Sequence, residues 1–107
     1  MNGITVIAKA KTKPGCGPQL EEAFKKVIPP THQEKGCLLY VLHKSIEDEN
    51  TYTVVERWTN KEALDAHLMS PHIKELFAAV PSIVAATPEI TAFVEIPIGT
   101  SAKGKMP

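Results

Sequence analysis

Residues Thr51–His72 read TYTVVERWTNKEALDAHLMSPH, a sequence that predicts a strand, a polar break and then a helix. Because side chains alternate along a strand, Glu56 and Trp58 are expected on the same face. Asn60 is a favourable N-cap, and in the helix that follows it His67 shares one stripe with two leucines. An acid, an indole and an imidazole would then reach a buried region from two adjoining elements. This arrangement predicts a ligand pocket.

The rest of the chain is predicted to contain three further strands. Alternating side chains indicate strands at Ile4–Lys11, Leu38–Ser45 and Ile90–Ile96. A short acidic segment joins the second of these to the strand of Thr51–Trp58, which is typical of a hairpin.

Helices are predicted before and after this hairpin. From Pro18 onward, an apolar stripe with charged pairs on the opposite side gives the clearest helical pattern in the chain. Pro29-Pro30 is expected to end or kink that helix, because proline lacks a backbone donor and clashes with the preceding turn. In the second helical region, Ser70 and Pro71 are expected to restart the helix after a break.

The predicted order of elements is β-α-β-β-α-β. This is the split βαβ or ferredoxin-like arrangement, an α+β fold with a four-stranded antiparallel sheet and helices on one face. Several strands carry apolar residues at both parities, for example Val6 and Ile7, so the second face should also be covered. A second copy of the chain is the economical cover, which predicts a homodimer. Residues 1–97 are expected to form the domain, and residues 98–107 a flexible tail.

Composition restricts the partners and the location. The 107 residues suit a single domain, and twelve basic and twelve acidic residues cancel without any block of like charge. Neither nucleic acid nor an anionic membrane surface is therefore an expected partner. The N-terminal region has no signal-peptide core, and no apolar run could span a membrane. Cys16 and Cys37 lack a Cys-x-x-Cys spacing, so two reduced thiols and a cytoplasmic location are expected.

Several motifs, in order along the chain, resemble the antibiotic biosynthesis monooxygenase domain family. These are Pro14-Gly15, Glu34-x-Gly36-Cys37-Leu38-x-Tyr40, Glu56-x-Trp58, and Glu62-Ala63-Leu64-x-x-His67-x-x-Ser70-x-His72. The resemblance covers roughly Ile4 to Ile96 and implies a dimeric α+β barrel. The family's activities include cofactor-independent oxidation of quinols and polycyclic phenols, heme degradation, and isomerisation of a phosphorylated autoinducer.

The resemblance implies a chemistry that suits these residue types. In the cofactor-independent oxygenases, the reduced aromatic substrate supplies the electrons for molecular oxygen, and its deprotonation raises its electron density. His67 is then the expected base, Trp58 the contact for a flat ring, and Glu56 the group that orients the imidazole or hydrogen-bonds a substrate hydroxyl. Five further side chains are predicted to contact a small aromatic or quinol-like substrate: Tyr40, Tyr52, Val54, His72 and Phe77. No cofactor is expected.

Each catalytic candidate also has a purely structural interpretation. Trp58 could be packed in the core, and His67 could be a buried histidine that only hydrogen-bonds a backbone carbonyl. Glu56 on an apolar face requires a partner, such as a backbone amide or a lysine from another subunit. Tyr40 and His43 have opposite parity, so at most one of them faces the pocket.

Departures from the family's patterns disfavour two of its activities. The heme-degrading members resemble one another in an asparagine on the first strand and in a tryptophan and a histidine ten residues apart on the second helix. Here His67 and Phe77 occupy those helix positions, and no asparagine follows Asn2 in the first strand. The polyketide-oxidising members carry an asparagine four residues before the tryptophan, where this chain has Val54.

Three alternatives remain beside the oxygenase hypothesis. One is a binding or stress-response dimer without turnover, and another is a purely structural dimer. The third is an isomerase of a small carbonyl compound, because the stretch Ser70-Pro71-His72 resembles the autoinducer isomerase branch of the family. A phosphate site would need a cluster of basic residues, however, and Arg57 is the only arginine in the chain. No metal is expected, because the histidines show no recognised ligand spacing.

Overall fold

A computed structural model of the protein describes residues 3–106. Its elements are β1 (Ile4–Lys11), α1 (Gly17–His32), β2 (Cys37–Lys44), β3 (Thr51–Trp58), α2 (Lys61–Leu68), α3 (Pro71–Ala79), the 3-10 turn Val80–Ser82, and β4 (Glu89–Phe93). The four strands form one antiparallel sheet in the order β2-β3-β1-β4, which confirms the predicted α+β ferredoxin-like fold.

Strand β3 lies inside the sheet and carries the side chains that face the helices. Its residue Glu56 is paired with Val6 of β1 on one side and with Tyr40 of β2 on the other. Tyr52, Val54, Glu56 and Trp58 are all buried, as the strand period predicts. Because these four residues share one face, they project into the layer between the sheet and the helices.

Helix α1 does not end at Pro29-Pro30, which was one of the two outcomes predicted there, but continues to His32. The two prolines lie near its C-terminus, and the carbonyls that they leave without a donor belong to solvent-exposed residues four positions earlier. The last turn is also held from inside, because the buried Thr31 hydroxyl donates to the Val27 carbonyl at 2.8 Å. The two carbonyls that lack a donor are thus at the exposed side of the helix, where a missing backbone bond costs less than it would in the core.

The second helical region is divided as predicted. The Asn60 side chain accepts a hydrogen bond from the Ala63 amide at 2.9 Å and caps α2. Ser70 caps α3 and is followed by Pro71 at the first helical position. His67, in the last turn of α2, is 1% exposed.

Strand β4 is shorter than predicted, ending at Phe93 instead of Ile96. Phe93 pairs with Thr5, the second residue of β1, so only Ile4 of that strand lies further along. Beyond the strand, Glu95 accepts hydrogen bonds from the Arg57 guanidinium at 3.0 Å and from the Met106 amide at 2.8 Å. The domain boundary after residue 97 and the flexibility of the tail stay predictions. Within residues 3–106, no helix combines the length and hydrophobicity needed to cross a membrane.

Candidate functional site

A cavity of about 250 Å³ lies between the inner face of the sheet and the helices. Its walls are almost entirely apolar, and they include Val6, Leu20, Phe24, Val54, Ile73 and Leu76. Ile90 of β4 also lines it, yet this residue is 52% exposed, so the cavity is open to solvent near β4. An apolar enclosure with few polar groups is the usual form of a small-molecule site.

Most of the predicted substrate contacts line this cavity. Glu56 and His67 are the catalytic candidates among its lining residues. The other predicted residues in its wall are Tyr40, Tyr52, Val54 and Phe77. His43 is exposed on the opposite face of β2, so Tyr40 is the member of that pair that faces the pocket.

The structure places Trp58 and His72 differently from the prediction. Trp58 is 0% exposed, and its indole packs against the His67 ring with 4.5 Å between the ring centroids. Trp58 therefore packs against the imidazole and is not among the residues that line the cavity. His72 also lies outside the lining, because its ring is separated from the cavity by Glu34 and His67.

Glu56 is a buried carboxyl group with one internal partner. It is 4% exposed, and its Oε1 accepts a hydrogen bond from the Trp58 indole N–H at 3.0 Å. The expected backbone amide or lysine is thus replaced by a neighbour two residues along the same strand. Burial raises the pKa of Glu56 to about 7, although the bond from Trp58 opposes this rise. Near neutral pH, Glu56 can therefore either donate or accept a hydrogen bond in the cavity.

His67 is oriented by Glu34, and not by Glu56 as the sequence suggested. Its Nδ1 lies 2.7 Å from Glu34 Oε2. Burial lowers the pKa of His67, while the hydrogen bond and charge of Glu34 raise it in partial compensation. Since an ionised carboxylate only accepts hydrogen bonds, Nδ1 carries a proton and Nε2 is left as an acceptor.

Glu34 is the site residue whose role the sequence did not reveal. It belongs to the loop after α1, and its Oε2 also contacts His72 Nε2 at 2.8 Å. Glu34 appears in the family-like motif, but it is 33 residues from His67, and no periodicity links a loop residue to a helix at that distance. Only the packing of α1, α2 and α3 brings the three side chains together.

Glu34, His67 and His72 are also the types of side chain that can hold a metal ion. One donor atom from each lies within 4.8 Å of the others, a clustering that the histidine spacing in the sequence did not indicate. Both contacts to Glu34 have the length of charge-assisted hydrogen bonds, and we interpret the cluster as a hydrogen-bonded triad. That the protein binds no metal stays a prediction.

Comparison with known proteins identifies the family of this chain. Residues 3–79 match the model of the family described as "Antibiotic biosynthesis monooxygenase". The chain therefore belongs to the antibiotic biosynthesis monooxygenase family, as its motifs suggested.

Individual relatives are similar at a modest level. The chain is 31% identical over 88 residues to the Escherichia coli K12 protein named "Probable quinol monooxygenase YgiN", an alignment that covers 72% of this chain and 84% of that one. The solved structure of Rv0793 from Mycobacterium tuberculosis superposes with a TM-score of 0.84 at 26% identity, covering 92% of this chain and 99% of that one. A conserved protein from Methanosarcina mazei Go1 gives a TM-score of 0.83 at 30% identity, covering 87% and 92%.

One relative is considerably longer. The chain is 28% identical over 90 residues to sll1783 from Synechocystis, an alignment that covers 84% of this chain and 61% of that protein. The chain thus spans less than two thirds of this relative.

Proposed function

We propose that this protein is a cofactor-independent monooxygenase that oxidises a small quinol or phenolic compound with molecular oxygen. The observation that carries the proposal is the state of His67, a buried imidazole in the wall of an apolar cavity with its Nδ1 held by a carboxylate. Its Nε2 is then the group that can accept a phenolic proton. The family membership and the name of the relative YgiN support the same activity.

The proposed reaction needs little from the protein besides binding, deprotonation and enclosure. The substrate hydroxyl gives its proton to His67 Nε2, and the resulting phenolate transfers electrons to oxygen. A quinol and O₂ give a hydroxyquinone and water, so one oxygen atom enters the product and the substrate supplies all the electrons. Glu56 hydrogen-bonds a substrate oxygen, and the apolar walls keep water from the reduced-oxygen intermediate.

Oxygen uptake with a panel of reduced naphthoquinols and anthrones tests the proposal. Removing the base with His67→Ala should reduce the rate by about 10² to 10⁴-fold. The control is Lys26→Ala, which removes an exposed side chain of α1 that is outside both the cavity wall and the outer face of the sheet, and which should leave the rate unchanged. Wild-type uptake no faster than the spontaneous reaction, or full activity in the folded His67→Ala variant, would contradict the proposal. Turnover that persists without oxygen would favour the isomerase alternative.

The outer face of the sheet supports a second part of the proposal, a homodimer. Val41, Val55 and Ile7 are aligned across three strands on the face that the helices do not cover. Val41 is 43% exposed, and Phe93 of β4 on the same face is 49% exposed. A second copy packed on this face would remove these apolar side chains from water.

Light scattering after size exclusion tests the dimer. Val41→Glu should convert a dimer to a monomer, because it places a charge in the interface. Ile46→Glu is the control, since Ile46 is 99% exposed in the β2–β3 connection. A monomeric wild type would refute this part.

The free thiols of Cys16 and Cys37 fit a reducing compartment, and we propose a cytoplasmic location.

A further inference from the structure

We propose that Glu34 and His72 form a positioning pair that holds His67 in the tautomer needed for proton abstraction. This inference rests on the proposed function, since it assigns His67 as the base. It goes beyond that proposal by giving a role to two residues outside the cavity wall.

The geometry of the triad is specific. A single carboxylate oxygen, Glu34 Oε2, lies 2.7 Å from His67 Nδ1 and 2.8 Å from His72 Nε2. The three side chains come from different places, namely the loop after α1, the last turn of α2 and the first turn of α3. Both distances are short for nitrogen–oxygen contacts and are typical of hydrogen bonds to a charged acceptor.

Hydrogen-bond capacity determines where the protons are. An ionised carboxylate has no proton to donate, so both ring nitrogens that contact Glu34 must be donors. His67 is then protonated at Nδ1, and a neutral ring has its free lone pair at Nε2. Without Glu34, the imidazole could adopt the other tautomer, in which Nε2 carries the proton and cannot act as a base.

Charge compensation gives Glu34 a second effect. When His67 accepts a proton from the substrate, an imidazolium forms at a side chain that is 2% exposed. A buried unpaired cation is unfavourable, and the adjacent carboxylate offsets this penalty. Other titratable groups near the ring are His72, the Tyr40 phenol with its ring centroid 5.5 Å away, and Glu56, which accepts a hydrogen bond from the indole that packs on the imidazole. The direct contact of His67 with an anionic oxygen is the one to Glu34.

His72 has a supporting part in this arrangement. Its side chain is 16% exposed and that of Glu34 is 17% exposed, so this end of the triad reaches the surface. Ordering a side chain costs conformational entropy, so a Glu34 carboxylate held by His67 alone could rotate toward water. The bond from His72 Nε2 opposes that rotation. His72 therefore acts on His67 through Glu34.

The experiment combines NMR of the histidine ring nitrogens with the pH dependence of turnover. The variants are Glu34→Gln and His72→Gln, with Glu47→Gln as a control at an exposed glutamate, and the wild type is measured first without and then with a chelator. Wild-type His67 should show a proton on Nδ1 and a free Nε2. Glu34→Gln keeps the shape but removes the charge, so the pKa of His67 should fall, and kcat should decrease by roughly 10- to 10⁴-fold while KM changes much less. His72→Gln should produce a smaller loss of kcat, and Glu47→Gln none.

Either of two results would overturn the inference, and a third, described after them, would do so as well. One is a proton on Nε2 in the wild type. The other is a His67 whose tautomer and pKa are the same in Glu34→Gln as in the wild type. A change of the His67 resonances when the chelator is added would also overturn it, because the triad would then hold a metal. The NMR measurement needs no turnover, so it tests the positioning pair separately from the proposed function. A wild type without oxygen uptake would refute the proposed function, whereas the tautomer of His67 would still show whether Glu34 and His72 position the ring.

Discussion

Replacing Glu56 by glutamine should make the protein more stable at alkaline pH. The carboxyl group is 4% exposed, and its pKa is raised from 4.5 to about 7 because burial disfavours the charged form. Glutamine has nearly the same shape, and its side-chain oxygen can still accept the hydrogen bond from Trp58. The substitution therefore removes the buried charge and keeps the packing.

The size and sign of the effect follow from the two pKa values. The folded state holds its proton more tightly than the unfolded state, so between pH 4.5 and about 7 the unfolded state binds fewer protons. The stabilising contribution of the protonated group is complete below pH 4.5 and is lost as the pH rises through about 7. At about 1.4 kcal/mol per pKa unit, the wild type loses roughly 3 kcal/mol over this interval. The Glu56→Gln variant should keep this part of its free energy of unfolding, because glutamine does not ionise.

Urea denaturation of the wild type and of Glu56→Gln at several pH values between 5 and 8.5 measures the difference directly. The two free energies of unfolding should be similar at the acidic end, and the variant should be more stable by up to about 3 kcal/mol at the alkaline end. Glu75→Gln, at an exposed position of α3, provides the baseline for removing a surface carboxylate. A difference that is constant with pH, or one that favours the wild type more as the pH rises, would refute the reasoning.

Three further substitutions test the packing and α1. Trp58→Phe should lower the free energy of unfolding by about 1–3 kcal/mol and raise the pKa of Glu56 further, because the buried carboxyl group loses its donor; an unchanged stability curve would contradict this. Leu20→Ala, at a position that is 1% exposed, should cost about 2–5 kcal/mol in thermal or urea unfolding, whereas Leu38→Ala, at a position that is 48% exposed, should cost far less. Pro29→Ala should stabilise the protein by about 1–3 kcal/mol, since it restores a helical donor; a lower melting temperature would show that the proline is required.

The retention of an unfavourable carboxyl group in the cavity supports a functional role for Glu56. Protein interiors rarely keep an ionisable group whose charged form is destabilising unless it serves a purpose. If Glu56→Gln proves more stable but less active, the site trades stability for activity, as other functional sites do. A stable variant with full activity would instead indicate that Glu56 is a structural partner of Trp58.

Local patterns were sufficient to predict most of the fold. The alternation in β1 and β3, the Asn60 and Ser70 caps, and the apolar stripe of α1 all depend on residues that are close in sequence, and all were confirmed. The sequence left open whether α1 ends at its prolines, and the end of β4 was not predicted correctly. Both depend on what lies beside the element: solvent and the Thr31 hydroxyl at the prolines, and the start of β1 beside Phe93.

For the candidate site too, local patterns predicted some features and the packing of distant elements decided the others. The sequence by itself determined that Glu56 shares a strand face with Trp58 and that His67 lies on the apolar stripe of its helix, because strand and helix periods fix which side chains share a face. Only the tertiary structure decided what each of them contacts: Trp58 is behind the imidazole, and Glu34 joins His67 to His72 from a loop 33 residues away. The physical reason is that a period specifies a face of one element, whereas a hydrogen bond between distant residues depends on how several elements pack.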